Sequence, residues 1–152
     1  MDSRAIAALI HGAGGFVRTL GPVVVRSSPQ EALLRLEPGE ELFNHVGGPH
    51  AAAIFGLGET TAFVVLLEVF GDLVEGGAVP LVKSAEIAYS AVATGPLLAT
   101  GRLTGDEVAA RASLGERGVA VFGVEVRFTR ETDGVETAVM TAQMALKRFA
   151  PT

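Results

Sequence analysis

The chain has 152 residues, enough for one domain built on a single sizeable core. Hydrophobic residues make up 49% and charged residues 19%, a globular composition rather than a disordered one. The formal charge of −5 comes without a cluster of Lys and Arg, which argues against a nucleic-acid partner, and the absence of cysteine excludes disulfides, thiolate catalysis and Cys-ligated metals.

Residues 1–15 read as a short N-terminal helix closed by the glycines of HGAGG. Asp2 and the early break at His11 do not fit a secretory leader, so a cytoplasmic protein is expected. Val23–Arg26 is β-branched, and Ala32, Leu34 and Leu36 alternate with Glu31, Arg35 and Glu37. Both segments predict strands, joined by a Ser-Ser-Pro-Gln turn. EPGEELFNHVGGP follows as a loop. The pattern then predicts a helix over 49–70, with Pro49 in the first turn, where a missing N–H costs nothing. This helix is apolar on nearly every side and should be buried on every side. Gly56 and Gly58 each cost about 1 kcal/mol relative to Ala but permit close packing. Glu59 is the single charged residue between Ala51 and Leu67, and with Thr60 and Thr61 it speaks against a membrane span.

Four further strands are expected at Lys83–Val92, Leu97–Thr104, Val119–Arg130 and Val135–Phe149, with Tyr89 facing inward. Asp133-Gly134 suggests a type I′ hairpin turn. A short helix lies between Gly105 and Gly118, with Asp106 near its start. Strands that come in runs indicate an α+β fold with an antiparallel sheet. A long helix apolar all round needs a sheet that curls around it. The expectation is one hotdog domain over residues 1–152, six antiparallel strands wrapped around a long central helix.

Within that frame Asn44, Gly47, His50, Phe55, Leu57 and Glu59 stand at the spacing N-x-x-G-x-x-H-G-G-x-x-F-x-L-A-D/E. The stretch resembles the signature of hotdog-fold acyl-CoA thioesterases, of the phenylacetate-pathway type and related uncharacterised proteins. Ala51 and Ala52 replace the paired glycines, and the acid is Glu where that type usually has Asp. Hydrolysis of a thioester builds negative charge on its carbonyl oxygen, and a helix N-terminus offers free N–H groups and a positive dipole end to that charge. The resemblance implies that the Ala51 N–H polarises the carbonyl and that Glu59 acts as general base or nucleophile. Asn44 would orient substrate or water, and His50 would fix the loop or bond the thioester oxygen. Gly47, Phe55, Thr60 and Tyr89 are the substrate-binding candidates.

The implied partner is an acyl-CoA or acyl-carrier thioester, with CoA present only as part of the substrate and no other cofactor. Arg102, Arg127, Arg130, Lys147 and Arg148 are candidates for CoA phosphates. The family implies a homodimer, or a dimer of dimers, with the site shared between subunits, and no membrane. No metal is expected, because His45 and His50 lack ligand spacing or company. Two rival readings stand beside this one. The pocket could bind a ligand without cutting it, with Glu59 merely paired in the core. Alternatively, His45 and Glu59, 14 residues apart, match the spacing of the catalytic pair in hotdog dehydratases.

Overall fold

The alternating and β-branched segments form one antiparallel sheet in the computed structural model, which describes residues 3–12 and 14–149. Its strands are β1 (Val23–Ser27), β2 (Ala32–Leu36), β3 (Val79–Tyr89), β4 (Leu97–Leu103), β5 (Val119–Arg130) and β6 (Glu136–Lys147). They lie side by side in the order β1-β2-β4-β5-β6-β3, which leaves β1 and β3 as edges. The helices are α1 (Ser3–Gly12), α2 (Gly15–Leu20), α3 (Ala51–Glu75) and α4 (Glu107–Arg117). α3 touches all six strands. This is the hotdog arrangement, and the alternation in β5 and β6 explains it. Phe122, Val124, Val126 and Phe128, with Ala138, Met140, Ala142, Met144 and Leu146, all point at α3 and are buried.

α3 sits close to the sheet because it carries glycine at the contact. A Cβ on Gly58 would overlap Met140 Sδ and come within 2.7 Å of Phe128 Cζ. By length and hydropathy alone α3 could cross a membrane, but 78% of its most apolar stretch is buried inside the protein, so it is the core helix. Its regular geometry breaks at Phe70 (φ −123°, ψ 19°). The Phe70 ring packs 4.5 Å from that of Phe122. Arg111 of α4 lies over its other side, 5.2 Å from the centroid. Arg111 also donates to the Val69 carbonyl at 2.5 Å and pairs with Asp72 at 2.9 Å. The guanidinium holds the Asp72 carboxyl below its ordinary range.

Several elements differ from expectation. α3 begins at Ala51, not at Pro49, because the His50 side chain caps it and Pro49 remains extended in a bridge to Phe43. It also runs on to Glu75, since the apolar run continues past the Phe70 break. The single helix expected over 1–15 is a pair, α1 and α2; positions 1, 2 and 13 lie outside the described residues. α2 ends on Gly21 in the left-handed region (φ 68°), which closes a segment too short to announce itself by periodicity. The β5–β6 turn is not type I′, because only Gly134 has positive φ. Asp133 instead accepts from the Val135 N–H at 3.1 Å and pairs with Arg130 at 2.8 Å. In α4, Asp106 caps as anticipated, accepting from the Ala109 N–H at 3.0 Å.

Candidate functional site

The Asn44–Pro49 loop is built by Asn44 and two glycines. The Asn44 Oδ1 accepts from the N–H of Val46 at 3.0 Å and of Gly48 at 3.4 Å, and its Nδ2 donates to the Pro49 carbonyl at 3.4 Å. The amide that was expected to orient substrate therefore shapes the loop. Gly47 takes positive φ (78°), and its own position is open to solvent. Gly48 is the tighter requirement, because a Cβ there would overlap the Ala93 carbonyl oxygen. The adjacent Gly-Gly pair was the available signal for this contact, and the motif named only Gly47, as a substrate-binding candidate.

The loop delivers the chain to α3 with a defined polarity. His50 N–H donates to the Leu42 carbonyl at 2.7 Å. His50 Nδ1 accepts from the Ala52 N–H at 3.0 Å, and its carbonyl accepts from the N–H groups of Ala53 and Ile54. That leaves the Ala51 N–H, which no described residue accepts. No acidic side chain occupies the first turn to neutralise the positive end. Among the described residues no non-glycine has positive φ, so alanine at 51 and 52 imposes no backbone strain.

A cavity of about 410 Å³ opens at this helix start, lined among others by Asn44, Ala51, Tyr89 and Val92. Tyr89 lies on the inward face as expected, opposite the buried Ala138 of β6, but at the end of edge strand β3 it is 46% exposed. Its hydroxyl donates to the Ala51 carbonyl at 2.9 Å. Burial pushes the phenol pKa up, which keeps it a donor. His50 lies on the other side of the helix start, in a small cavity of about 160 Å³ with Phe16 and Leu42.

Glu59 lies elsewhere. It is half-buried, and among the described residues it has no ion pair or hydrogen bond. It lines a cavity of about 870 Å³ between α3 and the α1–α2 pair, where it is the one charged side chain among the described residues. Thr60 beside it gives its hydroxyl to the Gly56 carbonyl at 2.8 Å, and Thr61 bonds Leu57 at 2.7 Å. Phe55 packs partly buried against the core, and Gly47 and His45 are exposed; none of the three lines either larger cavity. Eight residues separate Ala51 from Glu59, about 12 Å along a helix axis. One chain thus holds the Ala51 N–H and the Glu59 carboxylate in separate cavities. The walls supplied by α1 and α2, Phe16 above all, escaped the sequence reading.

Four of the basic candidates are engaged by other side chains, and Arg130 also donates to the carbonyl of Val92, at the 410 Å³ cavity, at 3.1 Å. Arg102 pairs with Glu31, Arg127 with Glu125 and Glu136, and Arg130 with Asp133. Lys147 rests 4.9 Å from the Phe149 ring centroid.

The model of the family described as "Domain of unknown function (DUF4442)" matches residues 3–146. The chain belongs to this family. Its DUF4442 fold is similar to solved hotdog-fold members of the thioesterase superfamily. A Pseudomonas aeruginosa protein of unknown function, described as a "Probable Thioesterase", is 25% identical with a TM-score of 0.80, over 97% of this chain and 96% of that one. Thioesterase superfamily member 2 from zebrafish is 17% identical with a TM-score of 0.72, over 94% and 96% of the two chains. A Staphylococcus aureus thioesterase is 15% identical with a TM-score of 0.68, over 88% and 98%. No curated protein matches the DUF4442 chain described here.

Proposed function

We propose that this DUF4442 protein hydrolyses an acyl thioester, of CoA or of an acyl carrier, with Glu59 as general base or nucleophile. The observation that carries the reading is the unpartnered, half-buried Glu59 carboxylate in an apolar cavity. A structural core carboxylate would be paired, since leaving it unpaired is costly. Here the carboxylate faces open space, within which it can take a proton from water or attack the thioester carbon. The free Ala51 N–H, at an unneutralised helix start, would bind the oxygen on which charge develops.

The separation of about 12 Å between these groups along α3 requires a second copy. Two antiparallel α3 helices related by a two-fold axis near residue 55 would set Ala51 of one protomer opposite Glu59 of the other. The open edge of β3, an 11-residue strand, offers a surface for such pairing. We therefore propose a homodimer, alone or as half of a tetramer, with two composite sites. Tyr89, bonded to the Ala51 carbonyl, would hold the helix start in place. Nothing in this chemistry calls for a cofactor beyond the CoA carried by the substrate. A reducing cytoplasm suits a chain without cysteine.

Release of free thiol from a panel of acyl-CoAs tests the reading. Glu59→Gln should lower kcat on the order of 10²- to 10⁴-fold while the thermal midpoint holds or rises. Thiol release unchanged in Glu59→Gln would sink the assignment.

A further inference from the structure

Resting on Glu59 as the cleaving carboxylate, we infer that the acyl group is a long, unbranched hydrocarbon chain, threaded between α3 and the N-terminal pair α1–α2. The cavity of about 870 Å³ takes from α3 Gly56, Glu59, Thr60, Phe63, Leu67 and Val74. These positions recur at helical spacing and form one continuous face. The carboxylate stands near one end and Val74 at the other, 15 residues apart, or about 22 Å along the helix. A fully extended chain advances roughly 1.2 Å per bond, which fits an acyl group of about twelve to eighteen carbons into that length.

The walls agree in chemistry. Glu59 is the one charged lining residue among those described, and the Thr60 hydroxyl is already bonded to Gly56. Beyond the carboxylate the α3 wall is Phe63, Leu67 and Val74, which offers no partner to a hydroxylated or charged acyl group. The roof is apolar and incomplete: Leu9 is 46% exposed and Phe16 62% exposed, although both line the cavity. A hydrocarbon chain laid beneath them would cover that surface. An acetyl or phenylacetyl group would leave most of the length empty.

The test is a profile of thiol release across saturated acyl-CoAs of two to eighteen carbons and phenylacetyl-CoA. It is paired with direct binding of palmitoyl-CoA to Glu59→Gln. The expected kcat/KM rises with chain length, by up to about fourfold per methylene, and reaches its maximum at twelve carbons or more. Val74→Phe, at the distal end, should move that maximum to shorter chains. Leu9→Gln, at an exposed wall position that tolerates polarity, should weaken long chains selectively. A maximum at two to four carbons, or at phenylacetyl, overturns the inference while leaving the thioesterase reading intact. Tight palmitoyl-CoA binding that Val74→Phe weakens, without Glu59-dependent release of any thiol, sinks the thioesterase reading and keeps the long-chain pocket. Variants that change only the association state show that a second copy fills the cavity, and they overturn the inference.

Discussion

The two faces of α3 obey different rules. Toward the sheet, Gly58 meets Met140 and Phe128, both fully buried, and no space remains for one added carbon. Toward α1 and α2, Gly56 meets the tip of Phe16, a ring that is 62% exposed, and a methyl of the buried Leu20 at 3.2 Å. The first face is filled by apolar side chains from β5 and β6. The second opens on a cavity with one unpaired carboxylate. The same residue type therefore serves tight packing on one side and adjustable access on the other.

Substitution of the two glycines by alanine puts that contrast to the sharpest test. Gly58→Ala should destabilise by roughly 1–2 kcal/mol, because overpacking a filled core outweighs the helix-propensity gain. Denaturant unfolding would read it as a lowered midpoint. His50→Ala removes the cap at the end where both faces begin and should cost about 1 kcal/mol, with His50→Asn restoring most of it. Gly56→Ala should stabilise by up to about 1 kcal/mol, since Phe16 can move and alanine is the better helix former. A destabilised Gly56→Ala would erase the distinction between the faces.

The smallest effect belongs to neither face. Glu31 sits between Arg26 and Arg102, whose hydrogen bonds hold its pKa below its ordinary value of about 4.5. A depressed carboxylate stabilises the fold above its ordinary value and loses that contribution as pH falls through the lowered one. Stability measured from pH 6 down to pH 2 should therefore fall less steeply in Glu31→Gln than in the parent chain, with no difference in the activity profile.

Most of the architecture was legible because burial on one side of a sheet imposes a period of two. β5 and β6 carry that period without a break, and β5 was located to the residue. The apolar run of α3 was equally plain. What escaped was set by contacts at a distance. α2 is six residues long and is closed by a glycine turn, so no periodicity marks it. Tyr89 keeps the inward alternation of Ala85 and Ile87, but its place at the end of an edge strand leaves it half exposed, and its bond to the Ala51 carbonyl has no trace in the sequence. At the site, the residue types from Asn44 to Glu59 were legible, but their tasks were not. Asn44 and His50 have side chains that satisfy nearby backbone, and short-range hydrogen bonds of that kind leave no periodic trace. The separation of Ala51 from Glu59 follows from helix rise alone.

The Arg111 contact has a consequence for the connection between β4 and β5. These strands are antiparallel neighbours, so a short turn would suffice to join them, and α4 looks dispensable on topology. But Arg111 accompanies the break at Phe70 by binding the Val69 carbonyl and Asp72. α4 acts as a splint across that break. Replacing it by a tight hairpin would free the last turn of α3, and with it Val74, so the far end of the cavity depends on an insertion that never reaches it.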